Sequence, residues 1–396
     1  MLWVTCVDKT GSGLWVTVSA LYFAQVAGLS LVAVGTLMAV SGAVGVAGAP
    51  LAGRLADRMP LVRLLVAMQL LRAAATAALL TTDAFGPLLV YAALAAFGDR
   101  AANVLTKLYA ARLGGSQRVR YQAIVRTAAN AGWAVGGLVA AGALAVGTTT
   151  AYQALLLGNV LSFLGAAALT LRCAEPPSPS RTVASSATGP ATATRPPSPW
   201  RDRPYLLYVL SDTVLCLHDS VFHVGLPLWI VHATDAPPEL VPLLTVLNSA
   251  MVVGLQVPLS RLGADTEACR RLLLPLAATF ATAGLALAAS VVDGPWLASA
   301  ALLLATAVLT LAEMLHAVVA WELSVALAPD RAQGAYVGVH GLASSAQRSA
   351  GPLVVTAAVA GGPAGWAAFG AAVALTCLAQ HRLVRDRVAK PSPVAV

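Results

Sequence analysis

Asp99 and Arg100, then Asp212, His218, Asp219 and His223, then Glu313 and His316 are ionisable side chains set deep inside long apolar stretches. A charge held in hydrocarbon-like surroundings is costly, so each of these residues is a functional candidate from the outset. The chemistry open to them is proton loading and release, or recognition of a charged solute. A carboxylate without a partner in such a place is disfavoured as an anion and exchanges protons near neutral pH, whereas one facing an arginine stays ionised. Asp212, Asp219 and His223 are spaced i, i+7, i+11, and Glu313 and His316 i, i+3, so each set is predicted to share one helix face. Glu313, or else Asp219, is the expected proton-coupling carboxylate, with Arg100 as its partner or as a clamp on substrate. A static ion pair of Arg100 with Glu313 or Asp99 that fixes helix register is the structural alternative.

The elements that carry these groups follow from composition. Of 396 residues, 58% are hydrophobic and 11% charged, against roughly a quarter charged in an ordinary soluble domain. Apolar stretches recur along the whole chain, each long enough to cross a ~30 Å hydrocarbon core as a helix. The reading is an all-α polytopic membrane protein with twelve predicted transmembrane helices, at about 13–30, 31–53, 62–82, 87–111, 121–146, 150–172, 204–231, 239–260, 270–291, 295–326, 334–358 and 364–382. No cleavable signal peptide is legible, and the first apolar stretch reads as a span.

Connections after even-numbered spans carry arginines such as Arg54, Arg58, Arg112, Arg118, Arg201 and Arg261, and the tail adds Arg382, Arg385, Arg387 and Lys390. Connections after odd-numbered spans carry only Asp83, Asp235, Glu239 and Asp293. That asymmetry is the positive-inside pattern and places both termini in the cytoplasm of a cell (inner) membrane. The formal charge of +8 is thereby used on topology and anionic lipid headgroups, and no nucleic-acid partner is needed. Residues 173–203, rich in Pro, Ser and Thr, read as a cytoplasmic linker between a six-helix half at 1–172 and a second at 204–396 with a cytoplasmic tail.

The halves look related. "PLAGRLADRMPLVR" at 50–63 matches "PLSRLGADTEACRR" at 258–271: Pro50 and Asp57 align with Pro258 and Asp265, and Arg63-Leu64-Leu65 with Arg271-Leu272-Leu273. An internal repeat of this kind suits a two-half transporter. At a nearby offset Arg100 falls opposite Glu313.

Gly53-Arg54-Leu55-Ala56-Asp57-Arg58 resembles the loop signature of the major facilitator superfamily, G-x-L-a-D-R-x-G-R-[RK]. The sequence departs from that signature at Pro60 and Leu61, and its next basic residue is Arg63. The resemblance covers nearly the whole chain. It implies the superfamily fold, with the first, fourth, seventh and tenth spans lining a central cavity. The fourth, seventh and tenth carry charge there, at Asp99, Arg100, Asp212, Asp219, Glu313 and His316, whereas the first offers only Thr17, Tyr22 and Gln25. Gly53, Asp57, Arg58 and Arg63, with Asp265 in the second half, are the expected gating loop residues, Asp57 accepting from Arg58, Arg63 or a neighbouring helix N-terminus. Gly132-x-x-x-Gly136-Gly137 is similar to the glycine-rich antiporter motif of drug-exporting members but lacks its Pro, and Gly334-x-x-x-Gly338 permits another close helix approach.

The expected function is secondary active transport by alternating access, as proton-coupled export of a lipophilic or weakly basic small molecule. Import of a nutrient, or a non-transporting sensor or scaffold on the same fold, are the alternatives. The chain has no G-x-x-x-x-G-K-[ST], no G-x-S-x-G and no H-E-x-x-H, so neither ATP-driven transport nor an enzyme is expected. The cysteines Cys6, Cys173, Cys216, Cys269 and Cys377 are scattered without metal-ligand spacing. No cofactor, metal or obligate protein partner is expected; the partners are small-molecule substrate, protons and the lipid bilayer. Arg126 and Arg348 are placed to snorkel, and Arg72, in the third span, has no role legible in the sequence.

Overall fold

The computed structural model describes residues 1–114, 118–146, 148–176, 197–237 and 240–388. All of the regular structure among them is helical. Two compact units divide the chain: residues 1–197 with 328–341, and residues 198–327 with 342–396.

The first unit contains α1 (Leu2–Leu21), α2 (Leu31–Val46), α3 (Gly48–Ala56), α4 (Leu61–Ala78), α5 (Phe85–Gly114), α6 (Arg118–Val146) and α7 (Thr149–Leu171). The first helix begins at Leu2, not near residue 13, and a π-helical segment at Tyr22–Val26 extends it. It ends because Gly28 takes φ 66°, a left-handed conformation that suits a residue without Cβ. Ser30 then starts α2 by accepting from the Ala33 N–H at 3.3 Å. An apolar cluster closes this end of the unit. Leu14, Val18, Tyr22 and Phe23 of the first helix pack with Leu37, Leu79, Leu88 and Leu156, and Trp15 meets Tyr22 and Phe23 edge-on.

The second unit contains α8 (Arg203–Leu215), α9 (Leu226–Ala233), α10 (Leu240–Ser260), α11 (Thr266–Ala288), α12 (Pro295–Ala326) and α14 (Gly362–Val388). The intervening α13 (Gln333–Ala360) is divided, its residues up to Gly341 counted with the first unit. Between α8 and α9 the chain stays helical but irregular, with a turn at residues 216–217, a short α-helical segment at His218–Ser220 and a π-helical segment at Val221–Gly225.

Among the described residues nine helical stretches are long and apolar enough to cross a membrane. The long helices outside that set are α1, α6 and α13. Each of the three carries polar or charged residues within it: Asp8 and Lys9 in α1, Arg120 and Arg126 in α6, His340 and Arg348 in α13.

Residues 177–196 of the expected linker lie outside the described residues. The linker's start is bound in place. The Glu175 carboxylate accepts the N–H groups of Leu61 at 2.6 Å and Val62 at 2.9 Å, so an anion from residue 175 caps the first turn of α4. Tyr109 donates to the Ala174 carbonyl at 2.9 Å beside it. Glu175→Ala is expected to lower stability by about 1 kcal/mol, the usual worth of an N-cap, as read by thermal unfolding in detergent. An unchanged midpoint would show that the contact is incidental.

Candidate functional site

The first unit holds a buried charge cluster that the sequence reading did not foresee, and Arg72 is its centre. The Arg72 side chain is 2% exposed. Its Nη1 donates to Asp8 Oδ1 at 2.5 Å and to Gln69 Oε1 at 2.9 Å, and its Nη2 to Asp99 Oδ1 at 3.1 Å and Ser12 Oγ at 3.2 Å. The guanidinium also lies 3.9 Å from the centre of the Phe163 ring, a cation–π contact from α7. Lys9 closes the cluster. Its Nζ sits 3.4 Å from Asp8 Oδ2 and donates to Asn103 Oδ1 at 2.8 Å, and Asn103 donates to Asp99 Oδ2 at 3.1 Å. Two carboxylates, Asp8 and Asp99, thus share one fully buried guanidinium, with an ammonium balancing the second negative charge. Asp8 and Lys9 are within the first helix because that helix starts at Leu2. Asp99 is held by Arg72 from the third span, and Arg100, one residue along, is half-buried.

Arg58 and Arg63, two of the loop residues, are exposed. Of the partners expected for Asp57, the helix N-terminus is the one it meets: it accepts the backbone N–H groups of Gly334 and Ala335, both at 2.9 Å, at the start of α13. An anion there meets otherwise unsatisfied donors and the positive end of the helix dipole. Arg112 Nη2 lies 3.5 Å from the same carboxylate and also donates to the Ala56 carbonyl. Burial pushes the Asp57 pKa up from the ordinary carboxylate value, opposed by the two N–H donors, Arg112 and Arg58. Gly53 makes this docking possible. A Cβ there would collide with the Gly334 carbonyl oxygen, and it would lie 2.9 Å from Gly338 Cα. Asp265 aligns with Asp57 in sequence, but it is exposed and caps its own helix, accepting the Ala268 N–H at 2.7 Å. The two aligned aspartates therefore perform different tasks.

In the second unit Asp212 and His316 meet directly. His316 Nε2 lies 2.9 Å from Asp212 Oδ1, and both residues are buried. Cys216 Sγ donates to Asp212 Oδ2 at 3.9 Å, and the His218 ring packs edge-on against His316 with 5.2 Å between centroids. The expectation that Asp212, Asp219 and His223 share one face fails. The turn at residues 216–217 and the π-helical segment break the 3.6-residue register. Asp212 points inward, while the side chains of Asp219 and His223 are 51% and 75% exposed and lie 3.7 Å apart. Gln347 of α13 reaches Asp219 Oδ2 at 3.5 Å and Ser220 Oγ at 2.6 Å. Glu313, one turn from His316, accepts from Asn248 of α10 at 2.7 Å, and Asn248 also donates to Thr310. A further buried carboxylate in the same helix, Glu322, accepts from Thr266 at 3.2 Å.

A sequence profile described as Major Facilitator Superfamily matches residues 3–352. The chain belongs to the Major Facilitator Superfamily. Search among curated proteins finds no match. Solved structures similar to it include a bacterial homologue of the iron transporter ferroportin in an outward-facing state, at 15% identity over 98% of each chain with TM-score 0.69. The human organic anion transporter MFSD10 (TETRAN) is similar at 16% identity over 97% of each chain, TM-score 0.63. FucP in its outward conformation follows at 13% identity over 97% of this chain and 98% of that one, TM-score 0.65. At these identities the likeness is one of fold. Membership in the Major Facilitator Superfamily makes the chain a multi-pass membrane protein with the fold of a secondary transporter.

The candidates missed in the sequence are Asp8 and Lys9, the partners that give Arg72 a place. The signal was present for both. An Asp-Lys pair between "MLWVTCV" and "TGSGLWV" interrupts a stretch that is otherwise continuous with the first span.

Proposed function

We propose that this chain works by alternating access and couples inward proton movement to export of a lipophilic or weakly basic small molecule, from a cell membrane with both termini cytoplasmic. The observation that carries the coupling is the asymmetry of the cluster around Arg72. Asp8 and Asp99 both bond the guanidinium, yet their side chains are 10% and 31% exposed. Asp99 is the member that a proton can reach. Protonation there weakens its bond to Arg72 while Asp8 still holds the arginine, so the cluster passes between two charge states without losing its centre. A few kcal/mol from such an exchange is enough to bias a two-state equilibrium. The membrane potential adds ~2.3 kcal/mol per 100 mV for each charge that crosses. Glu313, bonded to the neutral Asn248 amide, is the matching carboxylate of the second unit. The acidic groups Asp219 and Glu313 suit a cationic cargo, and Arg100 is the group that would select against it.

The test is accumulation of a panel of lipophilic cations and antibiotics in an efflux-deficient host, with and without an uncoupler. Wild-type expression is expected to lower accumulation, and the uncoupler to abolish that effect. Asp99→Asn and Glu313→Gln are each expected to reduce efflux about tenfold or more, the scale of 1.4 kcal/mol, and to flatten its pH dependence. Raised accumulation in wild type would move the assignment to import. Wild-type flux and pH profile in both variants would remove these carboxylates from coupling, and no flux with any cargo would favour a sensor or scaffold.

A further inference from the structure

Asp212, Cys216 and His316 present three different kinds of metal ligand to one point. One carboxylate oxygen, the thiol sulfur and one imidazole nitrogen all lie within 4.8 Å of one another. Cys216 is one helical turn beyond Asp212, and His316 comes from α12, so the set is built by two elements rather than one. Its scaffold is irregular at the point of convergence: the helix leaves the α pattern at Cys216 and Leu217 and takes up a π-helical segment at Val221. Departures of this sort inside a long helix are frequent at functional sites.

We propose that Asp212, Cys216 and His316 form a binding site for a single divalent transition-metal ion of the zinc class. The donor types select the ion. An imidazole nitrogen and a thiolate favour borderline and soft metals over magnesium and calcium, which prefer all-oxygen shells. Three protein ligands with a fourth position left for water or another group is the arrangement of open zinc sites. Charge balance favours occupation as well. On binding, the Cys216 S–H bond breaks and its proton leaves to solvent as the sulfur–metal bond forms. His316 coordinates as neutral imidazole. One carboxylate and one thiolate then neutralise the divalent ion, so the occupied cluster carries no net charge among apolar helices, where an uncompensated charge is costly. Without the ion, the same groups bond to one another through Asp212. The helix positions 212, 216 and 316 thus give metal-ligand spacing that cysteine counting along the sequence does not reveal. The site draws on none of the residues of the Arg72 cluster.

Cobalt(II) titration of the full-length chain in detergent tests it, because a thiolate bound to cobalt gives an intense charge-transfer absorption that oxygen and nitrogen ligands do not. Wild type is expected to develop that band at one cobalt per chain and to lose it when zinc is added. Cys216→Ser should abolish the band, and His316→Gln and Asp212→Asn should each weaken binding about tenfold or more. Cys6→Ser should leave it intact. If Cys216→Ser fails to fold, zinc protection of Cys216 from alkylation in wild type, read by peptide mass spectrometry, decides the matter. Absence of the band in wild type, its persistence in Cys216→Ser, or alkylation of Cys216 at the same rate with and without zinc overturns the site. Asp99→Asn is expected to lose flux while keeping the cobalt band, which separates this site from the transport assignment.

Discussion

Arg72→Leu is expected to destabilise the protein by about 3–5 kcal/mol, the range found when one partner is removed from a buried ion pair, and to abolish transport. The cost arises from what is left behind. Asp8 and Asp99 would face each other across the space of a missing guanidinium, and four hydrogen bonds from Arg72 would be lost with it. Arg72→Lys is expected to fall between, because an ammonium cannot present the planar fork that reaches both carboxylates and stacks on Phe163. The decisive variant is the quadruple Arg72→Leu, Asp8→Asn, Asp99→Asn, Lys9→Met, which removes both charges of each sign. Neutral replacement of a whole buried ionic group is often tolerated, so this variant should recover most of the lost stability but none of the proton-dependent flux. Thermal unfolding in detergent and uptake assays on the same preparations give both numbers. A quadruple variant no more stable than Arg72→Leu would show that the cluster is held by packing and not by charge balance.

The same cluster shows where sequence reading stopped. Spans are legible because hydropathy is a local sum, and the positions of most helices follow from it; Asp57 is singled out by the resemblance of its loop to the superfamily signature. Charge compensation is not local. Arg72 meets a partner 64 residues earlier and another 27 later, and no window along the chain contains all three. The misplaced start of the first helix came from averaging: Asp8 and Lys9 lowered the hydropathy of a stretch whose backbone is helical from Leu2. Face assignments in the seventh span failed for a different reason. The i, i+7, i+11 rule assumes an unbroken 3.6-residue repeat, and the chain leaves that repeat at Cys216. The pairing of Asp57 with Asp265 failed because matched sequence does not fix which helix N-terminus a carboxylate will cap. Asp57 follows the end of α3 and reaches α13, whereas Asp265 directly precedes α11 and caps it.

Gly53→Val is expected to be the most damaging single change in the loop region, ahead of any substitution of its exposed arginines. The crossing of α3 with the start of α13 is backbone on backbone: a side chain at Gly53 meets the Gly334 carbonyl, one at Gly334 meets the Gly53 carbonyl, and one at Gly338 would sit 2.8 Å from the Ala49 carbonyl oxygen. Backbone cannot rotate aside as a flexible side chain can, so the helices must separate. The overpacking cost is about 1–3 kcal/mol, and separation also withdraws Asp57 from the Gly334 and Ala335 N–H groups. Transport is expected to fall more than tenfold, beyond what Arg58→Gln or Arg63→Gln produces at exposed positions. Gly42→Ala is the control, since nothing lies within 4 Å of a Cβ placed there, and its effect should stay within about 0.5 kcal/mol. The comparison separates the two roles that a glycine in a membrane helix can have. If Gly53→Val and Gly42→Ala reduce stability and flux equally, close approach at Gly53 is not what positions Asp57. If only Gly53→Val does so, the small residue and the carboxylate four positions later act as one device, the first admitting the helix end that the second binds.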